Sequence, residues 1–297
     1  MAIRWILALF VLSVVLTATN TFGDNDETRI IVYQSPVLLG EIDGQITIAR
    51  PQDMILTRHT VINGQLNLPG NPIIEHDPEK NPIKIKSPKG TDSMGPSYLV
   101  QVRDEAVVQS IQTAITPPER EKPENPTADF HYRRLVLKDG KVMREARSAG
   151  TAPPSQPGGR YVWETLEPGD HPGIHVLKDG NAILKGDPNR SPAVFVIDGL
   201  EIGSDQQLLA AMPTTLHVRE DATIQGELGQ SSDPHAFSIV GTRSDIVLSA
   251  GGKVWSDKTH IPRGAILVGD SCVLNGHLIL TDHLILTPGS QVICRKH

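Results

Sequence analysis

Residues Val268–Val292 read VGDSCVLNGHLILTDHLILTPGSQV, and their spacing decides how the rest of the chain is read. Within them GHLILT at Gly276–Thr281 is followed at once by DHLILT at Asp282–Thr287. Apolar residues recur every six positions at Val268, Leu274, Leu280, Leu286 and Val292. A second series two residues ahead runs Ile266, Cys272, Leu278 and Leu284. Both series have even parity, so an extended backbone points them all to one side. Short strands separated by sharp corners meet that pattern, as in a β-solenoid (parallel β-helix).

A second repeat lies near the other end. Ile42-Asp43-Gly44-Gln45-Ile46-Thr47-Ile48 returns twenty residues later as Ile62-Asn63-Gly64-Gln65-Leu66-Asn67-Leu68. Apolar and polar residues alternate in both copies, the mark of a half-buried strand. The motif returns at Leu274-Asn275-Gly276-His277-Leu278, with looser echoes at Ile197-Asp198-Gly199 and Ile224-Gln225-Gly226. The expected fold is therefore all-β. A β-solenoid forms the C-terminal half, and a mainly β N-terminal region carries one short helix. That helix is expected over Asp104–Ile115, where Val107, Val108, Ile111, Ala114 and Ile115 fall at helical spacing behind an acidic first turn.

Composition bounds the possibilities. The chain has 297 residues, 23 prolines and 26 glycines, which implies many turns and few long helices. Its formal net charge of −6 and lack of a basic block leave no electrostatic footprint for nucleic acid. Residues 1–23 read as an export signal, with Arg4 before the apolar run Trp5–Leu16 and a small-x-small site at Thr21–Gly23. An uncleaved membrane anchor is the other reading of this segment. Residues 24–148 form the N-terminal region, with proline-rich stretches at 70–95 and 117–128 and a hairpin turning at Asp139-Gly140. Residues 149–160 are a linker and 161–297 the solenoid domain.

The chain has two cysteines, Cys272 and Cys294, 22 residues apart, about the length of one coil. Adjacent strands lie about 4.8 Å apart, and disulfides take Cα atoms about 4.4–6.8 Å apart. A bridge between successive coils would contribute about 3 kcal/mol. Two buried free thiols are the alternative.

Catalytic and metal chemistry find little support. Asp170, His171 and His175 are separated by Pro172-Gly173, which breaks any helical ligand face. His277 and His283 are six apart and of odd parity, so they turn from the interior. Asp198, Glu201, Glu220, Asp221 and Glu227 are the candidate carboxylates for polysaccharide chemistry, without an Asp-Asp or Asp-x-Asp cluster. Neither a Gly-x-Ser-x-Gly elbow nor a phosphate loop is present. Trp163 and Trp255 are the tryptophans beyond the export signal. No catalytic residue, cofactor site or metal site is assigned.

The stretch Tyr161–Val292 resembles the β-solenoid regions of bacterial pilus-assembly and related surface proteins. LEPGDHPGIHV is similar to the group's Leu-x-Pro-Gly-x-Tyr-x-Gly-Ile opening, with His171 in the tyrosine position. AVFVIDGLEI resembles its Val-Ile-x-Gly coil, and TTLHVREDATIQGEL its Thr-Leu-x-Val-x-x-x-Ala-x-Ile-x-Gly coil. GAILVGDSCVLNGHLIL resembles the closing rungs, which are also similar to the polymer-forming bactofilins. The resemblance implies a rigid module in the periplasm, at the cell surface or outside the cell. The expected function is that of an exported, non-enzymatic structural or adhesive envelope protein, pilus association included. Its expected partners are envelope or surface proteins, further copies of itself, or polysaccharide. The alternative is an extracellular polysaccharide-active enzyme or carbohydrate-binding module on the same scaffold.

Overall fold

The structure is a computed structural model that describes residues 28–87, 97–120, 134–138, 141–145, 165–166, 168–171, 174–176, 181–187, 189, 191–233, 236–241 and 244–294. The export segment 1–23 and the linker 149–160 lie outside the described residues. Among the described residues the architecture is all-β, and the main sheet has 22 strands, paired in parallel, that close into a barrel. A separate antiparallel pair joins Arg134–Lys138 to Lys141–Glu145 with Lys138 opposite Lys141, the geometry of the expected hairpin; its turn residues lie outside the described set.

Strands of the main sheet fall into three columns. In the first, Lys253 faces Val273 and Val273 faces Gln291, steps of 20 and 18 residues. In the second, Val196 faces His217, His217 faces Val240, and Val240 faces His260. In the third, Leu200 faces Ala222, Ala222 faces Ile246 and Ile246 faces Ile266. Each passage through the three columns makes one layer. Inward positions are filled by Ile197, Leu216, Val218, Ile224, Leu248, Val254, Leu274 and Val292, all buried in one continuous core. Parallel strands packed this way bury apolar side chains while the neighbouring layers satisfy their backbone groups.

The repeat at Ile42–Ile48 and Ile62–Leu68 forms two layers lying directly on each other, with Ile42 opposite Ile62 and Ile46 opposite Leu66. Val292 faces both Leu274 and Ile42, so the third copy of the motif occupies the same column two layers away. The glycines mark the corner between the first and second columns. A Cβ on Gly64 would stand 2.0 Å from Gly44 O, and one on Gly44 would stand 2.3 Å from Cys294 O. Only glycine allows layers to approach that closely.

Both ends of the described chain enter one layer. Gln291–Cys294 supplies its first column and lies along Glu41–Gly44. Arg29–Val32 supplies the second, between Leu278–Thr281 and Ile46–Ile48. Val37–Leu38 supplies the third, against Ile285–Leu286. Residues from Arg29 onward thus stack on the C-terminal layers.

Three expectations need correction. Asp104–Ile115 forms no helix; Val107–Ile115 is a strand between Val61–Pro69 and Lys84–Lys86. Its inward residues, Val108 and Ile111, lie on either side of a corner, as do Ile62 and Leu66. A corner resets strand parity and leaves inward residues three or four apart, which imitates the helical period. β-branched side chains and the positive φ of Asp104 (54°) and Ala114 (56°) also oppose a helix.

The same resetting interrupts the six-residue series. Ile266, Val268, Cys272, Leu274, Leu284, Leu286 and Val292 belong to the main core. After the corner at Gly276-His277, Ile279 points inward, whereas Leu278 and Leu280 join an outer cluster with Ile31, Tyr33 and Ala49. The beginning of the proline-rich 117–128 segment packs beside that cluster. Tyr33 Oη donates to Glu119 O at 3.4 Å, and Arg120 Nη2 donates to Pro262 O at 2.8 Å. The Arg120 guanidinium lies 5.7 Å from the Tyr33 ring centroid and 3.0 Å from Asp282 Oδ1, an ion pair whose carboxylate is 1% exposed. Gln34 Nε2 donates to the other Asp282 oxygen at 2.8 Å.

The expected Cys272–Cys294 bridge is the third correction: both residues are buried free thiols. The layer step here is 18 residues, with Leu274 opposite Val292, so the same register carried to Cys294 sets it opposite Gly276. Cys272 is four residues away along the neighbouring strand, roughly 13 Å at the rise of a β-strand.

Gly64→Ala tests the layer contact. Its Cβ would collide with backbone, so the variant is expected to lose about 1–3 kcal/mol in chemical unfolding. Gly199→Ala, whose Cβ would meet nothing nearer than Asp221 O at 3.6 Å, is expected to stay within about 0.5 kcal/mol of the parent. Equal midpoints for the two variants would contradict the stacking of these corners.

Candidate functional site

A shallow groove of about 430 Å³ lies over the outward side of the second column. It is lined by Val194, Val196, His217, Val218, Arg219, Val240 and Gly241. Strand alternation produces this floor. Phe195 and Ile197 point into the core, which leaves Val194 and Val196 outside, Val194 being 43% exposed. Such a surface offers aliphatic contact, with one imidazole and one guanidinium beside it.

The corner next to the groove gathers three of the five candidate carboxylates in neighbouring layers. Glu220 N donates to Asp198 O at 2.6 Å, and Leu200 N donates to Asp221 O at 3.1 Å. Arg219 spans the rim, with Nη1 3.1 Å from Asp198 and Nη2 2.6 Å from Asp170. The Asp198 hydrogen bond is the main reason the guanidinium titrates above its usual range, with the Asp170 charge adding to it. Further round the corner, Asp221 Oδ1 accepts Asp245 N at 3.2 Å and Asp245 Oδ1 accepts Ala265 N at 2.8 Å. Those two side chains bind the backbone of the next layer.

The other candidates do not join them. Glu201 is exposed in the third column, opposite His175 and Thr223. Glu227 is in the first column, where Trp255 Nε1 donates to its Oε1 at 2.6 Å. His277 lies 3.8 Å from Asp257 at one corner, and His283 lies 3.8 Å from Asp282 at another. His171 ends one short strand and His175 centres the next; Trp163 lies outside the described residues. Among the described residues no group of three or more His, Cys, Asp or Glu side chains is placed to hold a metal ion.

Sequence reasoning missed the groove because its valines looked like ordinary strand residues. Val194 and Val196 in AVFVI alternate with Phe195 and Ile197. The signal was an apolar run without polar alternation, which means apolar side chains on both faces of the strand.

The thiols offer no nucleophile. Burial pushes Cys272 up and drives Cys294 up to about 12, so both are held as neutral thiols. Cys272 Sγ donates to Asp270 O at 3.5 Å and Cys294 Sγ to His277 O at 3.2 Å. Because the folded value of Cys294 is raised from 9.0, its contribution to stability is complete below that pH and is lost as pH rises towards 12. In that window the parent should lose up to about 1 kcal/mol per pH unit more than Cys294→Ala. Both thiols should react with an aromatic disulfide reagent only after unfolding; rapid labelling of the native chain would contradict their burial.

No protein-family model matches this chain, and no curated protein or solved structure shows detectable similarity to it.

Proposed function

We propose that this chain is an exported, non-enzymatic structural or adhesive protein of the bacterial envelope, built as a β-solenoid. Parallel pairing in three columns, layer after layer, supports the solenoid reading. The export-type segment at residues 1–23 supports a place outside the cytoplasm.

One observation carries the non-enzymatic reading: the groove floor is aliphatic, and three acids at its rim, Asp170, Asp198 and Asp221, are engaged. Val194, Val196 and Val240 line it. Asp198 and Asp170 are held by Arg219, and Asp221 binds backbone. Glycoside hydrolysis needs two carboxylates flanking the scissile bond, one of them carrying a proton. Sugar rings are commonly held by aromatic platforms, whereas a valine floor beside an Arg–Asp rim fits the mixed side chains of a polypeptide. The groove is therefore a surface for an envelope or surface protein.

Incubation of the purified chain with cell-wall and extracellular polysaccharides tests this reading. Retention on the polymers and newly formed reducing or unsaturated ends are measured together. The expected result is no new ends over the buffer control, with or without retention. Product that accumulates with the parent and vanishes with Asp198→Asn or Glu220→Gln would overturn the proposal and make the rim catalytic.

A further inference from the structure

The layer shared by the two chain ends divides the stack into parts that complete each other. The N-terminal part presents Arg29–Val32, Val37–Leu38 and Glu41–Gly44; the C-terminal part presents Leu278–Leu286 and Gln291–Cys294. Ile30, Val32, Leu38 and Ile42 from the first meet Leu284, Leu286 and Val292 from the second in one core. We infer that this junction is an interface for a second copy of the chain. The N-terminal part of one copy closes the C-terminal part of another, and reciprocally, giving an exchanged dimer that keeps every ladder of the closed monomer.

Three observations carry this, independently of the structural or adhesive reading. First, the ladders at the junction are the same whether the parts belong to one chain or two, so only the tether favours closure within a chain. The 44 residues between Arg120 and Thr165 link the parts, and a tether of that length gives an effective concentration on the order of millimolar. Second, synthesis from the N-terminus leaves the edge formed by Arg29–Val32, Val37–Leu38 and Glu41–Gly44 without its partners until Leu278–Cys294 has been made. An unpaired strand edge is a template for another chain, and the long-range pairing that would close it is slow. Third, the junction selects this sequence over an arbitrary strand. Cys294 O leaves no room for a Cβ on the residue facing it, and that residue is Gly44. Arg120, carried by the N-terminal part, also crosses the junction to Asp282 and Pro262 on the C-terminal part. A second copy provides both features; an unrelated edge does not.

The test uses full-length chains. Val37 pairs with Ile285 across the junction. One tagged chain carries Val37→Cys and a differently tagged chain carries Ile285→Cys; they are unfolded together and refolded over a range of concentrations under mild oxidation. Exchange predicts a reductant-sensitive dimer bearing both tags, whose yield rises about tenfold for a tenfold rise in concentration while closed monomer dominates. The pair Val37→Cys with Thr223→Cys, the latter outside the junction, should give none. A single chain carrying both V37C and I285C should bridge within the monomer, which establishes that the thiols can meet. Internal bridging in that chain together with no two-tag dimer at any concentration overturns the inference. If the double variant fails to bridge, pull-down of one tag through the other, using unsubstituted tagged chains refolded together, reads the exchange without thiols. Its absence overturns the inference equally.

Discussion

Each layer of this protein is held by the backbone of its neighbours, and the rest of the structure follows from that register. A strand in the interior of the stack is hydrogen-bonded on both edges, so its inner side chains need only be apolar and of suitable size. The corners carry the stricter demand. Where Gly64 passes Gly44 and Gly44 passes Cys294, the backbones are too close for a side chain. At the corner between the second and third columns, Asp221 and Asp245 tie one layer to the next through backbone amides. Loss of register at a corner would move all the inward residues that follow it.

The same constraint explains both the edge and the middle of the molecule. Lys84–Lys86, the outer strand against Val107–Ile115, has all three residues exposed and a lysine on either side of Ile85. Charged outer strands of this kind discourage further pairing. The middle is different, because a layer there is completed only when both chain ends are present. The Arg120–Asp282 pair crosses the same boundary. Its carboxylate is buried, so removal of the guanidinium would leave a buried charge with only the Gln34 hydrogen bond and the more distant His283 beside it, at a cost of about 3 kcal/mol. The groove of the second column lies on layers outside that boundary, on strands paired on both edges, which gives a partner a firm surface to meet.

Much of the architecture was legible in the sequence, and the errors share a cause. The three copies of the Ile-Asp/Asn-Gly type motif at Ile42, Ile62 and Leu274 announced strands at a glycine corner, and the structure stacks them in one column. Their similarity also held the clue to the joined ends, since like corners stack on like. The helix expected at Asp104–Ile115, the parity assigned to Leu278 and Leu280, and the Cys272–Cys294 bridge all assumed a uniform spacing. Layers step by 18, 20 or 26 residues within the first column, 18 at the strand that carries Cys294, and corners reset the alternation. A spacing of 22 therefore does not bring two cysteines together. Of the candidate site, the sequence supplied the acids but not their grouping. Asp198, Glu220 and Asp221 meet because layer lengths place them at one corner, while Glu227 is carried to another face.

The measurement that tests this account most directly is native-state hydrogen exchange of the backbone amides. If Arg29–Val32 and Gln291–Cys294 complete one interior layer, their amides should be protected to the same degree as those of Lys258–Ile261 and Leu278–Thr281, and should open with them. Rapid exchange at both chain ends while the Lys253–Leu286 strands stay protected would show that the ends do not join the stack. The account of the closed layer would then be wrong.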